Sequence, residues 1–148
     1  MLKTKQILGM VSLTSLLLFG LQSYTTAQWQ DEEGVPAGLI EQAISENASS
    51  EVEPDKTTIQ TVREAGQQVP LYLIEFKSAN LCGATGCLHV GYIPAGQNYQ
   101  RVLGVYLTES NITVSNRVQN GLPCLNFPVP PDAVATWCYD GSKYALSR

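Results

Sequence analysis

From Lys56 onward the chain is written in short runs of β-branched and aromatic residues separated by Gly, Pro and Asn. That punctuation limits the fold more than any other feature, because it marks antiparallel strands joined by tight turns. The candidate strands are Thr58–Arg63, Leu71–Lys77, Cys87–Ile93, Gln100–Leu107, Asn111–Ser115, Leu122–Phe127, Ala133–Tyr139 and Lys143–Leu146. Asp140-Gly141 is a strong hairpin signal between the last two, and the stretch from Pro94 to Asn98 joins the third and fourth. Gln100–Leu107 presents Leu103, Val105 and Leu107 on one face and Val102, Gly104 and Tyr106 on the other, which predicts a central strand covered on both sides. Pro123 and Pro128 demote Leu122–Phe127 to an edge or an irregular strand.

Ahead of the strands, Val35, Leu39, Ile40, Ala43 and Ile44 recur at helical spacing and Pro36 suits a first turn, so a short amphipathic helix is expected over roughly 36–46. A Ser-rich acidic linker runs from Asn47 to Lys56. One helix before a run of strands predicts an α+β fold, a short N-terminal helix packed on a twisted antiparallel sheet; a small barrel or sandwich is the alternative.

The first residues have the order of a secretory signal: Lys3 and Lys5, an apolar run from Ile7 to Leu21, then a polar stretch ending Thr25-Thr26-Ala27. The run of 15 residues falls short of the roughly 20 a spanning helix needs. Residues 1–27 are therefore expected to be removed after Ala27, with Ser23 the second choice, and the mature protein to have no membrane span. The chain holds nine basic and thirteen acidic residues, and loss of Lys3 and Lys5 leaves seven basic against thirteen acidic, a net charge of −6. Residues 28–55 carry eight of those acids and no Lys or Arg, whereas the body from 56 to 148 has seven basic and five acidic residues. The expected organisation is an acidic segment, 28–57, ahead of an antiparallel β domain, 58–148. Without clustered positive charge, nucleic acid is excluded as a partner.

Cys82, Cys87, Cys124 and Cys138 make an even number, which reads as two bridges in an exported domain. Of three possible pairings the local one is favoured, Cys82–Cys87 with Cys124–Cys138, because Gly83 and Gly86 let the short loop turn back. Zinc sites use two knuckles with two to four intervening residues, and only the first pair comes near while thirteen residues separate the second; redox pairs usually sit as Cys-x-x-Cys, so no metal and no cofactor is expected.

His89 is the sole histidine, so any imidazole-dependent nucleophile must use it. In its strand it falls opposite Leu88, Val90 and Tyr92 and beside Gly91, whose missing side chain would leave room for a ligand. A His89→Ala change in a pure binding protein is expected to leave stability nearly intact. Glu75, flanked by Ile74 and Phe76, reads as a wet-face or ion-paired carboxylate. Gly83–Gly86 reads as a tight turn because no lysine or helix start follows it as phosphate binding requires. Tyr92, Tyr99, Tyr106, Trp137, Tyr139 and Tyr144 are numerous for strands of this length, and any subset sharing an exposed face would form a binding surface.

Two stretches, Leu81-Cys82-Gly83-Ala84-Thr85-Gly86-Cys87-Leu88 followed by Val90-Gly91-Tyr92, and Trp137-Cys138-Tyr139-Asp140-Gly141-Ser142-Lys143-Tyr144, resemble small exported bacterial proteins. In that group a Cys-Gly-x-x-Gly-Cys hairpin follows one strand and an aromatic-Asp-Gly-x-x-Tyr hairpin closes the domain. The likeness covers roughly residues 70–145 and describes turns. It implies a bacterial envelope location and the Cys82–Cys87 bridge; Cys124 and Cys138 stand outside the pattern, and no functional residue transfers. The expected function is a non-enzymatic periplasmic or secreted domain that binds a protein or glycan ligand, with His89, Tyr92, Tyr99 and Tyr106 as candidate binding residues. An inhibitor of an extracellular enzyme, presenting the Cys82–Cys87 loop, and a small hydrolase built on His89 are the alternatives.

Overall fold

A computed structural model describes residues 34–48, 52–109 and 111–148. The expected signal at 1–27 lies outside those residues, as do the start of the acidic segment and the middle of the linker. A helix, α1 (Ala37–Asn47), precedes nine strands: β1 (Thr57–Val62), β2 (Leu71–Phe76), β3 (Cys82–Gly83), β4 (Gly86–Ala95), β5 (Asn98–Leu107), β6 (Thr113–Gln119), β7 (Leu122–Val129), β8 (Ala133–Tyr139) and β9 (Tyr144–Leu146). The helix begins inside the chain rather than at its amino terminus. None of the described helices is long and apolar enough to cross a membrane.

The strands form two antiparallel sheets rather than the single sheet expected. In the first, β1, β2 and β4 pair in that order, and β4 also holds β3 and β5. In the second, β6 to β9 pair in sequence. The reason lies in β2 and β4, where neighbouring residues on both faces are apolar and need cover on two sides. Tyr72, Ile74 and Phe76 of β2 and Leu88, Val90 and Tyr92 of β4 join Leu39, Ile40 and Ala43 of α1 in one buried cluster. On the opposite face, Leu71, Leu73 and Ile93 join Leu122, Leu125, Phe127, Tyr139 and Tyr144 of the second sheet.

Polar groups tie the helix down where its apolar stripe ends. The Tyr92 hydroxyl donates to Glu46 Oε2 and accepts from Asn47 Nδ2, each at 2.8 Å. Burial, reinforced by that bond to Glu46, raises the phenol above its ordinary pKa and keeps it a donor. Gln42 pairs with the β5 main chain like one more strand residue: its Nε2 donates to the Tyr99 carbonyl at 2.7 Å, and the Tyr99 N–H donates to its Oε1 at 3.1 Å.

Two strand assignments are corrected. Gln100–Leu107 is an edge strand, since β5 pairs with β4 alone and leaves Tyr106 51% exposed. The apolar residues on its two faces arise from a bulge: Gly91 pairs Leu103 and Tyr92 pairs Arg101, so Val102 is extra and is buried in the same cluster as Leu103. Leu122–Phe127, expected at an edge or as an irregular strand, lies inside the second sheet between β6 and β8, with an irregular register to β6. Proline is tolerated there because Pro128 sits past the last β6 pair, Thr113 with Asn126, and Pro123 borders a break in register between Val114 and Val118.

The cysteines pair Cys82–Cys87 and Cys124–Cys138, both between directly opposed strands or within a hairpin, and no described cysteine is free. Asp140 caps the last hairpin, its carboxylate accepting from the backbone N–H groups of Ser142 and Lys143 at 2.8 and 2.9 Å. A turn the sequence reading passed over joins β6 to β7: Asn120 and Gly121 have φ of 51° and 84° between the paired Gln119 and Leu122. Two successive positive φ angles are what Asn-Gly supplies to a two-residue hairpin.

Candidate functional site

One row of side chains crosses the first sheet on the face turned toward the second: Thr58 of β1, Glu75 of β2, His89 of β4 and Val105 of β5 are opposed in register. Alternation along β4 puts His89 on that face, away from Leu88 and Val90, as expected. His89 is buried, and its Nδ1 lies 3.0 Å from the Cys87 carbonyl. A carbonyl only accepts, so Nδ1 carries the hydrogen and the ring is anchored by its own strand. Nε2 lies 3.4 Å from Glu75 Oε1, close enough for an ion pair, yet it makes no hydrogen bond and is shut off from solvent. The bond geometry is the stricter test, and by it the nitrogen is unpartnered. Glu75 is 13% exposed, and its Oε2 lies 3.4 Å from Lys77 Nζ, which bears out its reading as an ion-paired carboxylate.

Beside this pair is a half-open cavity of about 110 Å³ lined by Thr58, Gln60, Leu73, Glu75, His89 and Ile112. It does not lie over Gly91, where room was expected. A Cβ on Gly91 would come within 2.9 Å of Leu103 Cβ and 3.5 Å of Leu71 and Leu73, so the missing side chain admits β5 and no ligand. Neither ring nitrogen of His89 is bonded to a hydroxyl or thiol, and the nucleophile–base contact that a hydrolase needs is not formed here.

The tyrosines do not assemble one surface. Tyr92 is wholly buried against the helix, Tyr99 packs edge-on against Tyr72 at 6.0 Å, and Tyr139 and Tyr144 are buried between the sheets. The Tyr144 hydroxyl donates to the Pro123 carbonyl at 2.6 Å, and burial raises its pKa. Only Tyr106 of the candidate binding residues stands in the open, where it forms one wall of a larger groove.

That groove, about 610 Å³, lies where the end of β5 meets the β7–β8 connection, and Tyr106, Leu107, Pro128, Val129, Pro130 and Asp132 line it. Thr85, at the tip of the Cys82–Cys87 hairpin, closes one end. The hairpin lies hard against β5 there: Gly86 has φ of 103°, and a Cβ on it would sit 2.0 Å from the Leu107 backbone. Glu109 and Asp132 give the rim its charge, and among the described residues no basic side chain lines it. The Pro128-Val129-Pro130-Pro131 wall escaped the sequence reading, which used Pro128 only to weigh a strand; a proline-rich run between two strands was the available signal. No group of three or more His, Cys, Asp or Glu side chains gathers anywhere among the described residues in a way that could hold a metal.

No protein-family model matches the chain, and no similar curated protein or similar solved structure is found.

Proposed function

We propose that this chain is an exported, non-enzymatic binding domain of the periplasm or extracellular space that holds a protein or glycan ligand in the groove beside Tyr106. The observation that carries the reading is the exposure of that groove's apolar wall: Tyr106 is 51% and Val129 41% exposed in a cleft of about 610 Å³. Large apolar side chains grouped at a concave surface are a common mark of binding sites in soluble domains. The two disulfides fit an oxidising compartment, which supports the location.

The runner-up, an inhibitor that offers its disulfide hairpin to an extracellular enzyme, draws on the same place, since Thr85 of that hairpin borders the groove. A short cross-linked loop is pre-organised and loses little entropy on docking. Replacing Ala84, which does not line the groove, tests it: an inhibitor loses potency while the sheet persists, and a groove binder keeps its affinity. The hydrolase built on His89 has no comparable support, because no hydroxyl or thiol is bonded to the imidazole.

The groove is tested by screening the folded protein against glycan arrays and displayed peptide libraries, then measuring each hit with Tyr106→Ala and Val129→Asp variants. Loss of at least tenfold in affinity with unchanged melting temperature supports the site. Hits that bind both variants as tightly as the parent overturn it. His89→Ala is not a neutral control: it empties a buried side-chain position and removes the Nδ1 contact to the Cys87 carbonyl.

A further inference from the structure

The strand that carries Tyr106 has an open side. β5 is ten residues long and pairs with β4 alone, so no described strand takes the main-chain groups along its other edge. Where that edge begins it is already covered: the N–H and C=O of Tyr99 point outward, and Gln42 of α1 takes both. Outward-pointing groups recur at every second residue of an antiparallel strand. The extra residue at the Val102 bulge shifts that set from Tyr99 and Arg101 to Gly104 and Tyr106. Leu107 agrees, because its carbonyl lies against Gly86 on the β4 side. An uncovered edge of this kind is a template for another strand.

We propose that a second copy of this chain docks on this edge, the two β5 strands pairing antiparallel about a two-fold axis at Val105, so that Gly104 of each copy lies opposite Tyr106 of the other. This rests on the reading of the groove beside Tyr106 as a protein-binding site and names its partner. Gly104 and Tyr106 both point their main-chain groups outward, as a bonded antiparallel pair requires. A glycine inside an edge strand is a weak point that an aromatic ring from the opposed position covers. Tyr106 is 51% exposed and takes part in none of the ring contacts among the described residues. The Arg101 guanidinium lies over Gly104, its carbon 3.7 Å from where a Cβ would stand, and offers that ring a cation to stack on.

Charge runs head to tail along the same edge. Among the described residues, a cleft of about 520 Å³ beside Gly104 carries Arg101 and Lys143 and no acid, while the groove beside Tyr106 carries Glu109 and Asp132 and no base. None of these four side chains belongs to an ion pair among the described residues. A two-fold axis across the strand sets the basic end of each copy against the acidic end of the other, so one surface complements itself. Val129 and Leu146, 41% and 61% exposed, line the two clefts and would be covered by the same contact.

Sedimentation equilibrium and amide hydrogen exchange of the folded protein test this together. The expected result is a monomer–dimer equilibrium that weakens in high salt. The Gly104 and Tyr106 amides should gain protection in proportion to the dimer, while that of Val105, which faces β4, should not change. Tyr106→Ala should weaken the dimer at least tenfold. Gly104→Pro removes an outward N–H and none that faces β4, so it should abolish the dimer while the circular dichroism of the fold persists. If that variant does not fold, Tyr106→Ala carries the test alone. Lys143→Glu and Asp132→Lys should each weaken the dimer and in combination restore it, which parallel pairing would not allow. A protein that stays monomeric up to millimolar concentration, or a dimer whose Gly104 and Tyr106 amides exchange freely, overturns the proposal. Glycan or peptide hits that such a monomer loses in Tyr106→Ala keep the groove as a ligand site while this partner falls. A dimer with protected amides and no such hits supports the second copy as the occupant.

Discussion

The two sheets reach burial by different means. In the first, β2 and β4 are buried almost without interruption, six consecutive residues of β4 from Leu88 to Ile93 included, because α1 covers one face and the second sheet the other. In the second, β6 has no fully buried residue, β8 is buried only at Cys138 and Tyr139, and Val134 stands 66% exposed. Only β7 keeps a solid run, from Leu122 to Leu125. The more enclosed disulfide belongs to this thinner sheet: Cys124 and Cys138 are 0% and 3% exposed, whereas Cys82 and Cys87 are half-buried at the rim of the first. Apolar packing on two faces sustains one sheet. The other combines packing on one face with a cross-link between its two inner strands.

Truncating the same residue type in each sheet tests this most severely. Phe76→Ala and Phe127→Ala each remove a buried ring, and losses of about 3–5 kcal/mol are expected. Phe76 belongs at the upper end, enclosed between sheet and helix. Phe127 belongs at the lower end, because its neighbour Trp137, at 5.3 Å, is only half-buried and can lean into the void. Urea midpoints measure both, and a larger loss for Phe127→Ala breaks the comparison.

Removing each bridge by paired Cys→Ala changes should reverse the order. Loop closure over a sequence separation of 14 is worth about 3 kcal/mol, and over a separation of 5 about 2 kcal/mol. Chemical denaturation of the two double variants, read against the parent, checks the ranking. Equal losses would mean that the second sheet does not lean on its cross-link.

The smallest effect belongs to the closing hairpin of the second sheet. The backbone N–H of Lys143, then that of Ser142, lowers the pKa of Asp140 below its ordinary 3.8. A depressed carboxylate stabilises the fold above that ordinary value, and the contribution disappears as pH falls through the lowered one. Melting temperatures between pH 5 and pH 2 should therefore drop less in Asp140→Asn than in the parent. A parallel fall in both proteins would mean that the turn does not depend on the ionised cap.

Much of the local structure was legible. The apolar spacing from Val35 to Ile44 placed a helix within a residue of α1, and the run Ala133–Tyr139 matched β8 end to end. Those signals are local: helical and strand periodicity, prolines and turn residues act over a few positions. Asn120-Gly121 was equally local and was simply not used. The site was less legible. His89 and Glu75 could each be assigned a face, yet their opposition across β2 and β4 needed the register, and the cavity beside them needed Thr58 and Ile112 from elsewhere in the chain. Gly91 misled because an absent side chain looks the same whether a ligand or Leu103 fills the space.

By itself, then, the sequence determined most of the strand segments, though not β3 or the reach of β6 to Gln119; it also determined where most of them turn and that short local bridges could form, because backbone preference and loop closure act between near neighbours. Tertiary structure alone decided that there are two sheets, that β5 is an edge and β7 is not, that Tyr92 is buried while Tyr106 is bare, and that one imidazole nitrogen faces a carboxylate. Each of those depends on which surface covers which, and cover comes from residues far away along the chain.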